Sequence, residues 1–353
     1  MTPVLQNMLV IAATGALSFA LLFWSHRRLA QERWQIAAAI PLEKTPEGDW
    51  KGLNLTWYGF FTATSTAAST ALFLLMAGSL GIEAGTIAGF SLALLAVCLP
   101  AAKIIARLVE GKRHTFTVGG AAFAGLTALL PLHWLFAHMG WFRPEITIFP
   151  ILSAVAASYA LGEGIGRLAC ISFGCCYGKS LEDAPAPLRR LFGNSGVTFH
   201  GSLKKAAYEG GLEGRPVIPV QGVTAFLYVS CALVGLLLFS FGFYAVSFIF
   251  CLLVTQGWRV LSERLREDYR GEGALSAYQK LSLIMIVFSI AGTFFGNAST
   301  VGAEPELFAG VRVLWSPLMI LFIQTLWMIV FIYMGRSSIT GSSIRFYLHD
   351  DRV

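Results

Sequence analysis

The residues best suited to chemistry lie together between Gly162 and Lys179. This stretch holds an acid (Glu163), a cation (Arg167) and five glycines, and it closes a long apolar segment. Charge at the end of a membrane span is costly unless it faces protein or water, so the cluster predicts a functional site. A glycine-rich helix contact that ends in ordinary interfacial charges is the alternative. The cysteines of the stretch are Cys170, Cys175 and Cys176.

A second cluster follows a later apolar segment. Arg259, Glu263 and Arg266 are spaced i, i+4 and i+7, so on a helix they share one face. Arginines oriented by a carboxylate between them suit a phosphate, because the planar guanidinium binds oxyanions through two hydrogen bonds. A solvated basic end of a membrane helix is the alternative.

The composition shows which elements must position these residues. The chain has 353 residues, of which 56% are hydrophobic and 13% charged, and a mean hydropathy of +0.65. These values predict an all-α, polytopic membrane protein, so the net charge of +6 does not indicate nucleic-acid binding. Apolar windows of about 20 residues predict about nine transmembrane helices, at 3–25, 55–78, 85–109, 117–138, 146–166, 218–239, 243–262, 276–296 and 313–335.

Lysine and arginine are distributed very unevenly between alternate loops. All but Arg143 and Arg312 of the 26 basic residues fall on one predicted side of the membrane. The positive-inside rule therefore places the N-terminus outside, and the C-terminus and the polar clusters on the cytoplasmic side. The longest polar loop, 180–217, is rich in proline and glycine, which predicts an irregular arm on the surface.

Three further polar residues stand at span ends on the same predicted side. Tyr58 opens the second span, where an interfacial aromatic belt is the alternative to a ligand contact. His114 precedes a Gly119-Gly120 pair and titrates near neutral pH if solvated. Gln221 opens the sixth span after a proline and indicates little by itself.

Taken in order, these motifs resemble the prolipoprotein diacylglyceryl transferases. The resemblance covers about 52–296 and implies a seven-helix core, with an additional span and basic loop at 1–51 and an additional span and tail at 297–353. The motifs that carry it are Trp57-Tyr58-Gly59, Gly119-Gly120, Gly166-Arg167 with Gly174 and Gly178, the arm 180–217, Pro219-Val220-Gln221, and Arg259 with Glu263 and Arg266.

The resemblance implies a function. Family members are bacterial inner-membrane enzymes that move the diacylglyceryl group of phosphatidylglycerol to a lipoprotein cysteine and release glycerol phosphate. A similar activity here implies an anionic phospholipid donor within the bilayer, an unknown acceptor, no cofactor and no nucleic-acid partner. The residues it implies for lipid binding are Tyr58, Gly174, Gly178, Gln221, Glu263 and Arg266; those for catalysis are Arg167, Arg259, Cys170, Cys175 and His114.

The chain also departs from the family pattern. Val118 stands where the family has a histidine, Cys170 where it has an asparagine and Cys175 where it has a glutamate. Loss of the histidine removes the obvious proton acceptor for a thiol nucleophile, and His114 lies one helical turn before that place. A neighbouring Arg167 is expected to lower the pKa of Cys175 and make its thiol reactive.

Three further points concern a second possible function, a metal site and the orientation of the core in the membrane. Arg167, Arg259 and Arg266 together form a predicted arginine clamp for the lipid phosphate. The alternative function is a lipid-binding or lipid-moving protein that keeps this clamp but has no catalytic activity. The three cysteines with His114 or His200 fit no common zinc pattern, so we expect no metal site. One additional N-terminal span inverts the core, and this inversion agrees with a site at the cytoplasmic face.

Overall fold

The computed structural model describes residues 2–110, 117–268, 275–295 and 305–352, and the chain is mostly helical. Its helices are α1 (Pro3–Arg28), α2 (Trp57–Gly78), α3 (Ala84–Glu110), α4 (Val118–His138), α5 (Ile148–Phe173), α6 (Ala186–Phe192), α7 (Lys205–Tyr208), α8 (Val220–Ser240), α9 (Tyr244–Ser262), α10 (Ala277–Phe295), α11 (Leu307–Leu314) and α12 (Pro317–Gly335). Its strands are β1 (Ile36–Lys44), β2 (Trp50–Thr56), β3 (Val197–Thr198), β4 (Pro216–Val217) and β5 (Arg336–Ile344).

The predicted spans correspond to α1–α5, α8–α10 and α12. Eight of these helices, within the part of the chain that the structure describes, are long and apolar enough to cross a membrane. The exception is α10, whose apolar stretch Ala277–Thr293 is shorter. The prediction of a polytopic helical membrane protein is therefore confirmed.

Helix α5 is the central element of the bundle and packs against α2, α8 and α9. Glycines let these neighbours approach closely: a Cβ at Gly162 would lie 2.7 Å from Cβ of Ser69 in α2, and one at Gly164 would lie 3.1 Å from the Ala225 carbonyl oxygen in α8. A buried hydrogen bond of 2.7 Å from the Ser153 hydroxyl to that of Ser247 links α5 to α9.

Two helix ends differ from the prediction. Helix α5 extends beyond the predicted 166 to Phe173, because Arg167 and its acidic neighbour are paired inside the bundle and do not mark the membrane surface. It ends at Gly174, whose φ of 72° gives the left-handed cap that glycine favours. The last span starts at Pro317 and not at 313, because proline takes a first-turn position of a new helix after α11.

A three-stranded antiparallel sheet, absent from the sequence prediction, joins the two flanking regions in the order β1-β2-β5. Strand β2 runs directly into α2, and β5 directly follows α12. These two helices cross where a Cβ at Gly59 would lie 2.1 Å from the Cα of Gly335, so the crossing requires glycine. The sheet therefore holds the start of α2 and the end of α12 together.

The arm 180–217 is more ordered and more buried than predicted. It contains α6, α7 and the short β3–β4 pair, and Phe199 and Val217 are fully buried. The Lys204 ammonium, 1% exposed, donates hydrogen bonds of 2.8 Å and 2.7 Å to the carbonyl oxygens of Leu29 and Ser172. These carbonyls belong to the ends of α1 and α5, where backbone acceptors lack helical partners. The arm thus fastens two helix ends.

The additional segments pack directly on the core. Helix α1 packs against α8, and α11 and α12 pack against α2. The Asn7 side chain links the first and last segments, since its amide donates to the Pro305 carbonyl oxygen at 3.0 Å and its oxygen accepts from the Leu307 amide at 2.9 Å. The division at 51 and 297 remains a prediction.

Candidate functional site

Two adjoining cavities lie inside the bundle. A polar cavity of about 1000 Å³ is lined by the first turns of α2 and α8 and by the last turns of α5 and α9. The arm and the sheet complete its wall. A second cavity of about 420 Å³ is mainly apolar and lies between α2, α3, α4, α5 and α9. The residues lining both are Tyr58, Val118, Arg167, Cys170 and Met334, so Arg167 stands where the two meet.

A buried ionic cluster centres on Glu163. Its carboxylate accepts hydrogen bonds from Nη2 of Arg167, from the Tyr159 hydroxyl, and from Nη2 of Arg259 at 2.5 Å and 2.6 Å. The Glu163 side chain is 3% exposed, and the two arginine side chains are 15% and 12% exposed. Glu163 lies ten residues before the end of α5, about 15 Å along the helix axis. Two cations and one acid are therefore held well inside the bundle.

The cluster retains capacity for an anion. Two guanidinium groups face one carboxylate, which leaves a net positive charge. In the described part of the chain, the buried Nε atoms of Arg167 and Arg259 have no hydrogen-bond partner. Both arginine side chains also line the polar cavity, where their charge would stabilise a bound oxyanion.

The Gly119-Gly120 pair makes room for this cluster. A Cβ at Gly119 would lie 2.8 Å from Nη1 of Arg259, and one at Gly120 would lie 2.8 Å from Cβ of Ile105 in α3. The first glycine therefore allows the Arg259 side chain to lie against the backbone of α4. The second allows α4 to pack closely on α3.

The structure gives the three residues of the second arginine motif, Arg259, Glu263 and Arg266, different partners. Arg266 lines the polar cavity and forms a two-point ion pair with Asp268, in which both N–O distances are 2.7 Å. Glu263 also lines that cavity, but its carboxylate accepts from the Ser276 hydroxyl. The prediction that Glu263 orients Arg259 is therefore wrong. Helix α9 ends at Ser262, and Glu163 of α5 takes the partner role.

The two predicted lipid-binding glycines line neither cavity. Gly174 ends α5 in a left-handed conformation, and a Cβ at Gly178 would lie 2.3 Å from the Ile218 carbonyl oxygen. Both shape the chain around the site, and their direct contact with lipid remains a prediction. By contrast, Gln221 lines the polar cavity and donates to the Cys175 carbonyl oxygen at 2.9 Å. Tyr58 lines both cavities.

The three cysteines converge on the wall of the polar cavity. The Sγ atoms of Cys170, Cys175 and Cys176 lie within 4.8 Å of one another. Hydrogen bonds with the Cys170 and Cys176 thiols, together with burial, raise the pKa of Cys175 well above its ordinary value. The predicted lowering by Arg167 is therefore wrong, because the thiol neighbours and burial outweigh the cation. His114 lies outside the described residues.

The sequence reasoning gave no role to three contributors, Tyr159, Glu163 and Asp268. Tyr159, Glu163 and Arg167 are spaced four residues apart and share one face of α5, a signal that was available. Asp268 follows Arg266 by two residues and was not distinguishable from an ordinary loop acid. Its low exposure of 7% emerges only from the tertiary structure.

The fold and the site define a polytopic helical membrane protein with an arginine-lined internal cavity. Residues 49–295 match the family model described as prolipoprotein diacylglyceryl transferase, and the chain belongs to this transferase family. The predicted resemblance over 52–296 is thereby confirmed. A comparison with curated proteins finds no match.

Proposed function

We propose that the protein transfers a glyceryl-lipid group from phosphatidylglycerol, or a related anionic phospholipid, to an acceptor in the polar cavity. The observation that carries this proposal is the excess positive charge of Arg167 and Arg259 over Glu163, beside the meeting point of a polar and an apolar cavity. An amphiphile fits this arrangement, with its phosphate at the arginines, its headgroup in the polar cavity and its acyl chains in the apolar one.

The chemistry follows from the charges. The acceptor forms a bond to the glyceryl carbon, and the bond from that carbon to the phosphate oxygen breaks. The electron pair leaves with the glycerol phosphate, where Arg167 and Arg259 stabilise the developing charge. Arg266 lines the same cavity, where two of its nitrogen atoms are already bonded to Asp268. Glu163 keeps the two buried arginines in place and is a positioning residue.

The proton of the acceptor must also leave. Its raised pKa keeps Cys175 a protonated thiol near neutral pH, which cannot accept that proton, so Cys170 and Cys175 are proposed as hydrogen-bonding groups of the cavity wall. His114 remains the proposed substitute for the family histidine.

We further propose that the site opens at the cytoplasmic face of a bacterial inner membrane. The sheet and the arm belong to the end of the bundle that contains the polar cavity. The excess of lysine and arginine at this end supports a cytoplasmic location. Secreted lipoprotein precursors would then be on the opposite side.

A non-catalytic lipid-binding protein is the second candidate. The observation that favours it is Val118, which replaces the family histidine, is 49% exposed and lines both cavities. An aliphatic side chain there cannot take a proton.

Release of glycerol phosphate from phosphatidylglycerol distinguishes the two. Membranes that contain the protein should release it, and membranes that contain Arg259→Ala should not. Arg215→Ala, at an exposed arginine of the arm, is the matched control and should behave as the unchanged protein. Lipid binding that Arg259→Ala abolishes, without any release by the unchanged protein, would favour the non-catalytic candidate.

A further inference from the structure

We propose that Cys170, Cys175 and Cys176 bind one thiophilic metal ion of the Zn²⁺ class. This site goes beyond the proposed function, which requires no metal. The three Sγ atoms lie within 4.8 Å of one another, and all three residues line the polar cavity. Around a tetrahedral zinc with Zn–S bonds of about 2.3 Å, sulfur atoms are about 3.8 Å apart. Small side-chain rotations are therefore enough to bring all three thiols onto one ion.

The backbone brings the three thiols together in a way that the sequence spacing did not reveal. Cys170 belongs to the last turn of α5, and the left-handed Gly174 reverses the chain directly after it. The Cys175 amide then donates to the Cys170 carbonyl oxygen at 3.1 Å. Cys176 has a φ of 56°, a conformation that side chains other than glycine rarely adopt. The spacing Cys-x4-Cys-Cys thus becomes a compact group through one helix cap.

The cysteine segment is held by two neighbouring segments, α8 and the stretch 265–267. The Gln221 amide donates to the Cys175 carbonyl oxygen at 2.9 Å. Two residues later, the Tyr177 carbonyl oxygen accepts from the Glu267 amide at 3.1 Å, and the Lys179 amide donates to the Leu265 carbonyl oxygen at 3.0 Å. A ligand set on such a fixed segment loses little conformational freedom when it binds an ion.

Charge complementarity also supports an ion bound through thiolates. Three thiolates around a divalent cation carry a net charge of −1. The guanidinium groups of Arg167 and Arg266 both lie within electrostatic range of Cys176. Arg167 is also paired with Glu163 and Arg266 with Asp268, so the two cations would offset the charge of the complex in part.

The composition of the ligand set indicates what the ion would do. Within the described ranges, no histidine, aspartate or glutamate joins the three thiols. Three protein ligands leave the fourth tetrahedral position to a molecule from the cavity, as in catalytic zinc sites. A thiol that binds there loses its proton and becomes a nucleophile. The chemical class expected at this position is a small or peptide-borne thiol.

Metal binding tests the proposal without reference to lipid turnover. Reduced, full-length protein in detergent micelles is freed of metal and titrated with Co²⁺, and then with Zn²⁺ in competition. We expect one equivalent of Co²⁺ to bind with a thiolate-to-cobalt charge-transfer band that Zn²⁺ removes. Cys170→Ser, Cys175→Ser and Cys176→Gly should each raise the Zn²⁺ dissociation constant at least ~10-fold. Cys231→Ser, at a buried cysteine that lines neither cavity, is the matched control.

The glycine substitution separates loss of a ligand from loss of the fold, because Gly at 176 adopts the observed φ without strain. A second measurement uses the unchanged protein: Zn²⁺ should protect the peptide that contains Cys175 and Cys176 from alkylation, and leave Cys98 unaffected. The proposal is overturned if the reduced protein shows no cobalt–thiolate band, or if Cys176→Gly binds Zn²⁺ as tightly as the control.

Discussion

Replacement of Glu163 by glutamine tests the centre of the site most directly. The carboxylate accepts hydrogen bonds from Arg167, Arg259 and Tyr159, and its side chain is 3% exposed. Glutamine keeps the volume but removes the charge, and its amide directs donors at guanidinium groups that are also donors. Removal of one partner from a buried ion pair costs about 3–5 kcal/mol, because the remaining charges stay buried without compensation.

This cost has a measurable size. At about 2 °C per kcal/mol for a large chain, Glu163→Gln should lower the midpoint of thermal unfolding in detergent by about 6–10 °C. Release of glycerol phosphate should fall by about 10²-fold or more, because the arginines that stabilise the leaving group are no longer held. Glu182→Gln is the matched control, since Glu182 pairs with Arg215 on the surface and is 60% exposed.

Phosphatidylglycerol should partly repair the variant. Its phosphate supplies the negative charge that the arginines have lost, and a ligand that binds the folded state raises the unfolding midpoint. The lipid-induced rise should therefore be larger in Glu163→Gln than in the unchanged protein. The reasoning is refuted if Glu163→Gln unfolds and turns over lipid as Glu182→Gln does.

Three further outcomes are expected. Arg259→Ala should abolish lipid turnover while the protein still inserts, and Arg259→Lys should also fail because a point charge cannot reproduce the two-point guanidinium contact; turnover intact in both would exclude the clamp. Burial lowers the pKa of Lys204 from 10.5 to about 8, so between these values the unfolded state binds more protons and stability should rise with pH. That rise, read from unfolding midpoints, should be absent in Lys204→Met; an equal rise in both proteins would contradict it. Ser195→Cys and Ser343→Cys, in a background without other reactive thiols, should resist a membrane-impermeant maleimide in intact cells and react once the cells are opened; labelling of Ser195→Cys from outside would place the site on the outer face.

The helices could be predicted because apolar composition over about 20 residues determines a span. The prediction of a helix end failed where a charged residue is paired inside the bundle and does not lie at the membrane surface. Arg167 was taken as the end of a membrane span, but its pairing with Glu163 lets α5 continue to Phe173. The i, i+4 spacing of that pair is local, but Arg259 joins it from α9, and this contact between helices leaves no local signal.

The site was predicted in part for the same reason. Arg167 and Arg259 were identified from motif and spacing, whereas the acid between them was assigned to Glu263. Helical periodicity predicted a shared face for Glu263 and Arg259, but α9 ends at Ser262 and the periodicity ends with it. The pairing of β2 with β5 was missed because the two strands are separated by most of the chain.

The sheet also constrains how many times the chain can cross the bilayer. Strands β2 and β5 are hydrogen-bonded neighbours, so Thr56 and Arg336 lie on the same face of the membrane and the number of crossings between them is even. Seven of the eight long apolar helices fall in that interval, which is an odd number. Among the described residues, the remaining helix of sufficient length is α10, whose 19 residues extend about 28 Å, against about 12 Å for the eight residues of α11. An even number of crossings therefore requires α10 to cross the membrane as well, despite its shorter apolar stretch. A single helix gained or lost in this interval would separate the strands across the bilayer, so the core can change only by pairs of spans.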